Sequence, residues 1–321
     1  MALLAGGGVI GHGEDVTYED GDREAFQRSG VRVDLAGRHT LESFAARLAG
    51  TDLFSEPPED PVSRSYRRWA FESAALDLAL RQAGLSLWSV LGRQVRPMSF
   101  VASPGLGHPP SLRRIDELLE RCPGVRFKVD ARSDWDDRFI EALRARCVVA
   151  CVDLKGHYPG QSIYQPPDPA LYARVIDAFP GAWIEDAAET DETRELLDAA
   201  SKRLAWDAPI RSVEDVRALS HRPGAINVKA ARMGSLKAVF DLYDECAAHG
   251  IATYGGGDFE LGPGRRQSQY LASMFHAAAA NDLAPTDLND DPLPSYRLPA
   301  GPLDLEPVRF GFDAMVGLPD A

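Results

Sequence analysis

The sequence predicts a parallel α/β barrel of the TIM type with a smaller α+β domain in front of it. After Pro97, short apolar runs suited to buried parallel strands alternate with amphipathic helical segments, and the runs recur about every 20 to 30 residues. The chain has 321 residues, whereas a barrel of eight strand-helix units needs about 250. One barrel and one small companion domain therefore account for the length.

Seven apolar runs are predicted to be strands, each followed by a helix. The runs begin at Ser99, Val125, Val148, Ala182, Arg203, Ala225 and Ile251. DDRFIEALRARC, PALYARVIDAF and SLKAVFDLYDECAAHG are among the helical segments between them, and an eighth strand is expected near residues 281 to 286. A doubly wound open sheet is the alternative architecture, but no GxGxxG motif follows the first strand.

Residues 1–96 are predicted to form the companion domain. Residues 1 to 60 are rich in Gly and acidic residues, which predicts irregular or β-rich structure ending in the loop SEPPEDP. A helix is predicted from Ser65 to Leu80 and a shorter one in LSLWSVLG, closing near Gly84 and Gly92. Residues 97–290 are predicted to form the barrel, and residues 291–321 are expected to return to the companion domain.

The composition favours a small molecule as partner. With 45% hydrophobic and 26% charged residues the chain can build a core, and its net charge of −13 repels nucleic acid and anionic membranes. The four cysteines form no CxxC pair and lie in or beside apolar segments, as reduced thiols do. Because no signal peptide and no apolar run of 18 residues is visible, a cytoplasmic location is expected.

Charged residues stand at the ends of five consecutive predicted strands. They are Lys128, Asp153, Glu185, Asp207 and Lys229, spaced by 25, 32, 22 and 22 residues. In a parallel barrel these strand ends converge on one mouth. Three carboxylates at one point suit a hard cation such as Mg²⁺, and a neighbouring lysine can remove a proton α to a carboxylate that the metal binds. The alternative, that each charge only faces solvent, would have to recur on five strands.

Four motifs resemble those of the enolase superfamily. GHGED at 11–15 looks like the capping-domain GxGE, and FESAALDLALRQAGLSLWSVLG at 71–92 looks like the helix that leads into the barrel. INVKAARMGSL at 226–236 is close to the sixth-strand lysine motif, and GGGDFELGPGRRQ at 255–267 fits GGxxExGxGR. The chain resembles a divergent member of the muconate-lactonizing subgroup, alongside o-succinylbenzoate synthases, dipeptide epimerases and mandelate racemase relatives.

This resemblance implies a fold, a reaction and a cofactor. The fold is a modified (β/α)7β barrel with a capping domain. The reaction is abstraction of the proton α to a substrate carboxylate through an enediolate, giving racemisation or epimerisation, dehydration or cycloisomerisation. Asp153, Glu185 and Asp207 match the ligands of Mg²⁺, for which Mn²⁺ is a substitute, and Lys128 and Lys229 match the catalytic lysines. A small carboxylic acid is the implied substrate, and a homo-oligomer is compatible with the resemblance.

Further residues of these motifs are candidates for binding substrate or supporting the site. Arg126 stands where the first lysine of the second-strand KxK usually is, and arginine keeps the charge but not the geometry of lysine. Asp258 and Glu260 belong to the seventh-strand motif.

The chain departs from the family pattern near the predicted metal ligands. Lys155 replaces the usual asparagine, Ala208 replaces a glutamate, and Asp186 follows Glu185. Family members usually place a first pair of strands before GxGE, whereas only ten residues precede Gly11 here, so either the capping domain is short and lacks its first strands or the start of the sequence is late. Lys155 either pairs with Asp153, binds an anionic group of the substrate beside the metal, or turns away with the following loop. These departures motivate an alternative function, a non-catalytic relative that binds a ligand.

Overall fold

The structure, a computed structural model, describes residues 1–30, 33–296 and 298–316 of the chain. Its first part contains a hairpin and four helices. They are β1 (Ala2–Gly6), β2 (Val9–Gly13), α1 (Asp20–Ser29), α2 (Leu41–Ala49), α3 (Ser63–Ala83) and α4 (Leu87–Leu91). The antiparallel hairpin of β1 and β2 leads directly into Glu14 and packs on α3.

The two helices predicted before the barrel are confirmed as α3 and α4. Each ends at a glycine in the left-handed conformation, Gly84 with φ 66° and Gly92 with φ 61°, which a residue without Cβ adopts at little cost. The prediction that residues 1 to 60 are irregular or β-rich is wrong for α1 and α2. In α2 the helical signal was present, because Thr40 and Ser43 form a capping box.

All seven predicted barrel strands are present and parallel. They are β3 (Val101–Ala102), β4 (Arg126–Asp130), β5 (Val149–Asp153), β6 (Trp183–Glu185), β7 (Leu204–Trp206), β8 (Ala225–Val228) and β9 (Ala252–Gly255). They pair in the order of the chain from β3 to β9, forming one curled sheet. A doubly wound sheet reverses its strand order at a switch point, so this alternative is wrong.

Helices follow the strands as predicted. They are α5 (Arg113–Arg121), α6 (Asp137–Arg146), α7 (Pro169–Ala178), α8 (Arg194–Ala199), α9 (Val213–Ala218), α10 (Ala230–Met233), α11 (Leu236–His249) and α12 (Pro263–Phe275). A large apolar core includes residues from the strands and from the helices that cover them. None of the helices in the described ranges is long and apolar enough to cross a membrane.

The sheet is not closed into a complete barrel. The eighth strand expected near residues 281 to 286 is reduced to two isolated parallel bridges, in which Asn281 pairs with Phe100 and Asp282 pairs with Gly256. Pro285 follows closely and has no N–H to donate to a sheet, which explains why the pairing stops. The bridges nevertheless connect the two edges of the sheet at this point.

The last described segment lies against the first part of the chain. It contains the antiparallel pair β10 (Leu305–Pro307) and β11 (Ala314–Val316). The backbone N–H of Phe312 donates to Asp77 Oδ1 on α3 at 2.8 Å, and Arg266 on α12 binds Asp313 through two nitrogens at 2.9 and 3.0 Å.

Candidate active site

The five charged residues predicted to meet at the barrel mouth lie at the same end of the sheet. Asp153 and Glu185 are the last residues of β5 and β6 and are paired in register. Asp207 and Lys229 directly follow β7 and β8. Lys128 lies in β4, two residues before its end. The parallel register therefore places side chains that are far apart in the sequence at one edge of the fold.

Lys128 is buried among carboxylates. Its Nζ lies 2.6 Å from Glu185 Oε1, 3.2 Å from Asp153 Oδ2 and 3.6 Å from Asp282 Oδ2. Burial lowers the pKa of Lys128, but the negative charges of Glu185 and Asp153 outweigh burial, and the pKa is raised well above its usual value. The ammonium form is therefore the stable one in this arrangement.

Asp153, Glu185 and Asp186 form a buried carboxylate group. Each contributes an oxygen, and these oxygens all lie within 4.8 Å of one another. Burial raises the pKa of Glu185 and of Asp186, and for Asp186 the nearby charges of Asp207 and Asp153 raise it further. Closely spaced carboxylate oxygens are ligands that suit a hard divalent cation, so the residues present fit a metal such as Mg²⁺.

Asp186 was noted in the sequence only as a departure. It adopts φ 50°, and its carboxylate accepts hydrogen bonds from the backbone N–H of Asp207 at 2.9 Å and of Ala208 at 3.0 Å. A non-glycine residue in this conformation is uncommon and is often held in place at a functional site. Asp186 thus supplies a carboxylate beside Ala208, where family members usually carry a glutamate.

Asp207 lies among cationic side chains rather than in the closest carboxylate group. Arg232 Nη1 donates to Asp207 Oδ1 at 2.6 Å, while Lys229 Nζ lies 3.2 Å from Oδ2 and Tyr158 donates to Oδ2 at 3.2 Å. Burial raises the pKa of Asp207, but the charges of Arg232 and Lys229 outweigh it, and the pKa is strongly lowered. Asp207 is therefore ionised.

Glu185 is fixed by residues that the sequence reasoning missed. Tyr254 on β9 donates to Glu185 Oε2 at 2.6 Å, and the thiol of Cys151 on β5 lies 3.1 Å from the same oxygen. Alternation along a strand was the available signal, because Cys151 and Asp153 face the same side. Arg232 was also missed, although it lies only three residues after Lys229 in the quoted motif.

Lys155 contacts Asp153, the first of the three arrangements considered for it. Its Nζ lies 2.5 Å from Asp153 Oδ2, and its backbone N–H donates to Asp153 Oδ1 at 3.0 Å. The Nζ also lies 3.4 Å from Asp130 Oδ1. The side chain does not turn away with the loop that follows.

Of the remaining predicted residues, Asp258 lies close to a catalytic-lysine candidate, whereas Glu260 and Arg126 make no hydrogen bond or ion pair with either lysine within the described part of the chain. Asp258 Oδ1 is 3.7 Å from Lys229 Nζ, and its other carboxylate oxygen is buried without a hydrogen-bond partner among the described residues. Glu260 is buried and accepts from the backbone N–H of Asp258 at 3.0 Å, so it binds within its own loop. Arg126 begins β4 and does not line the cavity described next.

A cavity of about 620 Å³ opens above these residues. Both Lys128 and Lys229 line it, together with Lys155, Tyr158 and Asp258. Tyr18 from the first part of the chain and the exposed Phe259 also line it, and their rings contact each other edge to face with centroids 5.8 Å apart. The site therefore combines residues at the strand ends with residues from the first part of the chain.

Comparisons with known proteins define the class to which this fold and site belong. The chain is 26% identical over 298 residues to o-succinylbenzoate synthase of Geobacillus kaustophilus, a match covering 86% of this chain and 74% of the relative. A member of the enolase superfamily from Listeria innocua has a similar structure, with a TM-score of 0.65, 20% identity and coverage of 97% and 83%. The chain is an enolase-superfamily enzyme of the muconate-lactonizing type, an isomerase or a lyase.

Within this class the chain matches one described family. The C-terminal domain of the family described as domain of unknown function DUF8230 matches residues 94–290, and the N-terminal domain of that family matches residues 1–90. The chain belongs to the DUF8230 family. Among solved structures, the dipeptide epimerase of Methylococcus capsulatus complexed with a Mg ion is also similar, with a TM-score of 0.63, 22% identity and coverage of 97% and 91%.

Proposed function

We propose that the chain removes the proton α to the carboxylate of a small carboxylic acid and passes through an enediolate. Racemisation or epimerisation, dehydration or cycloisomerisation of the acid completes the reaction. The observation that supports this most directly is that Lys128 and Lys229 line one cavity beside buried carboxylates. A synthase and an epimerase both resemble the chain, so the resemblance favours no single outcome.

We propose Asp153, Glu185 and Asp207 as the residues that hold a divalent cation, with Asp186 as an additional carboxylate. Carboxylate oxygens are ligands that Mg²⁺ and Mn²⁺ prefer, and the similar dipeptide epimerase was solved with a Mg ion. When bound, the cation would stabilise the negative charge that develops on the substrate carboxylate.

In the proposed mechanism the two lysines act from separate sides of the cavity. Lys128 is held by Asp153 and Glu185, whereas Lys229 is held by Asp207 and Asp258. The neutral amine of one lysine takes the α-proton and becomes an ammonium group. In a racemisation or epimerisation, the ammonium group of the other lysine returns a proton to the opposite face.

The other candidates take supporting roles in this proposal. Asp258 and Arg232 fix Lys229 through shared contacts, since Arg232 Nη2 also lies 3.7 Å from Asp258 Oδ1. Glu260 orders the seventh-strand loop, and Arg126 contributes positive charge at the start of β4. Lys155 is the cation nearest to Asp153.

We also propose the domain division expected from the sequence. Residues 1–96 act as the capping domain, residues 97–290 as the (β/α)7β barrel, and residues 291–321 as the segment that returns to the capping domain. In this division the bridges at Asn281 and Asp282 stand in for the eighth strand.

Solvent exchange at the α-carbon tests the proposed function. A library of carboxylic acids would be incubated with the protein and Mg²⁺ in D₂O and followed by proton NMR. For an acid that exchanges, Lys229→Met and Lys128→Met are each expected to slow exchange of at least one enantiomer by roughly 10²- to 10⁴-fold, the usual contribution of a positioned acid or base. Lys237→Met is the matched control, because that side chain is 83% exposed on α11.

Two results would count against the proposal. Exchange that survives both Lys128→Met and Lys229→Met would remove the assignment of the bases. An absence of exchange across α-amino, α-hydroxy and cyclic acids, with Mg²⁺ binding verified by calorimetry, would favour a protein that only binds its ligand.

A further inference from the structure

Lys155 holds Asp153 with both its side chain and its backbone. The Nζ lies 2.5 Å from Asp153 Oδ2, and the N–H donates to Asp153 Oδ1 at 3.0 Å. Lys128 Nζ lies 3.2 Å from the same Oδ2. Each carboxylate oxygen of Asp153 therefore already has a donor from the chain itself.

The position of Lys155 is built into the fold. Lys155 has φ 50°, its carbonyl accepts from the N–H of Gln165 at 3.2 Å, and the N–H of the next residue, Gly156, donates to Asp186 O at 2.9 Å. A Cβ at Gly156 would come within 2.7 Å of Ala188, so this approach to the neighbouring segment needs glycine. These contacts fix the backbone of Lys155, and from this position its ammonium group contacts Asp153.

An ammonium group and a divalent cation cannot share this carboxylate favourably. Mg²⁺ binds carboxylate oxygens at about 2.0 to 2.1 Å, so a cation on Asp153 would lie only a few ångströms from the Nζ. Both positive charges would then be buried close together, since the Lys155 side chain is 13% exposed.

Asp130 offers the ammonium group a second place. Its Oδ1 is already 3.4 Å from the Nζ of Lys155, and its side chain is 51% exposed, in contrast to the fully buried Asp153. The Tyr158 ring also faces the Nζ, with its centroid at 5.4 Å. A small rotation of the lysine side chain would move the charge from Asp153 to Asp130 without moving the backbone.

We propose that Lys155 is a built-in competitor for the metal site: its ammonium group and a divalent cation bind Asp153 in turn, and Asp130 receives the ammonium group when the cation binds. This inference rests on the metal site of the proposed function. In this proposal Lys155, which stands where the family commonly has asparagine, lowers the affinity of the site for the metal.

Calorimetric titration of Mg²⁺ and Mn²⁺ into the chelator-treated full chain tests this inference. Lys155→Met is expected to lower the Kd at least tenfold, because the competitor is gone. Asp130→Asn is expected to raise the Kd at least threefold, because the displaced ammonium group loses its acceptor. Arg211→Met is the matched control, since Arg211 is an exposed cation lining the same cavity, and its Kd should change less than threefold.

The outcomes separate this inference from the proposed function. If Lys155→Met binds the cation with the Kd of the wild type, or if Arg211→Met tightens binding equally, the competition is disproved while the metal site stands. If no variant binds either cation, the metal site and the inference both fall. Binding by Lys155→Met alone would support the competition most strongly. Should Lys155→Met fail to fold, as judged by circular dichroism, Lys155→Gln takes its place.

Discussion

Glu260 is a carboxyl group that the fold holds in an unfavourable place for charge. Burial raises the pKa of Glu260 to about 7 from its usual value of 4.5, although the charge of Arg265 opposes the shift. The folded state therefore favours the protonated form. The stability gained from protonated Glu260 is fully present below about pH 4.5, and it is lost as the pH rises through 7. The shift corresponds to at most about 3 to 4 kcal/mol, at roughly 1.4 kcal/mol per pKa unit.

Replacing Glu260 by glutamine should remove this pH dependence. We expect Glu260→Gln to gain stability relative to the wild type between pH 5 and pH 8, by on the order of 2 to 3 kcal/mol. Urea unfolding at each pH measures the difference. The variant must be compared with the wild type at each pH, because His276 also makes the stability depend on pH. Burial lowers the pKa of His276 to about 4, so the stability that its neutral form contributes is lost as the pH falls from 6.5 through 4, opposite to the effect of Glu260. A difference that stays constant with pH would contradict the expectation, and the exposed Glu192→Gln is the control.

At the residue scale, the sequence could predict positions but not partners. Strand register alone brings Asp153, Glu185 and Asp207 to one end of the sheet, because one strand-helix unit separates each from the next. The contact between Arg232 and Asp207 depends on how the four-residue helix α10 leaves β8, which no spacing rule specifies. The choice of Asp186 for the closest carboxylate group depends in the same way on its left-handed backbone.

At the scale of elements, the side chain of Asn281 makes hydrogen bonds where the eighth strand is too short to pair. Asn281 Oδ1 accepts from the N–H of Gly255 on β9 at 2.7 Å and from His276 Nδ1 at 2.6 Å. Its Nδ2 donates to Ser99 O, just before β3, at 2.8 Å. One amide group therefore spans the two edges of the sheet. Such a connection between sheet edges is invisible in a sequence pattern, whereas seven strands of regular spacing were predictable.

Removing this amide should weaken the connection between β9 and β3, the two edges of the sheet. We expect Asn281→Ala to lower the free energy of unfolding by about 3 kcal/mol or more, because several buried polar groups lose their partners at once. Hydrogen exchange of the Gly255 amide should accelerate with it. Urea unfolding and exchange by mass spectrometry measure the two effects, with the exposed Asn289→Ala as control. If the free energy of unfolding fell by less than 1 kcal/mol and exchange at Gly255 were unchanged, the backbone bridges would connect the two sheet edges without this side chain.

At the scale of the whole molecule, carboxylates in the first part of the chain bind segments that lie far away in the sequence. Asp77 on α3 accepts from the N–H of Phe312 and from the N–H of His12 at 3.0 Å, which ties the last described segment to the hairpin. Glu14 reaches the seventh-strand loop. Glu14 belongs to the GHGED motif, but its partners are the backbone N–H groups of residues 247 to 250 positions later, which only the fold reveals.

Glu14 fixes the loop that carries Asp258 and Phe259. Its carboxylate accepts from the N–H groups of Leu261 at 2.7 Å, Gly262 at 2.9 Å and Gly264 at 2.9 Å, at the start of α12. A negative charge is favourable there, because the first N–H groups of a helix lack partners within the helix. A Cβ at Gly264 would come within 2.9 Å of Glu14 Oε2, so the close approach requires glycine.

Glu14→Ala should therefore release the loop as well as destabilise the chain. We expect a loss of about 2 to 4 kcal/mol in urea unfolding, since hydrogen bonds to a charged group contribute about 1.5 to 3 kcal/mol each and water replaces part of them. Chymotrypsin should cleave at Phe259, which is 76% exposed, at least tenfold faster than in the wild type. Glu14→Gln keeps one acceptor oxygen and should fall between the two, and Glu56→Ala in an exposed loop controls for the loss of charge. If cleavage at Phe259 stayed at the wild-type rate while unfolding was destabilised, Glu14 would stabilise the fold without ordering the loop over the cavity.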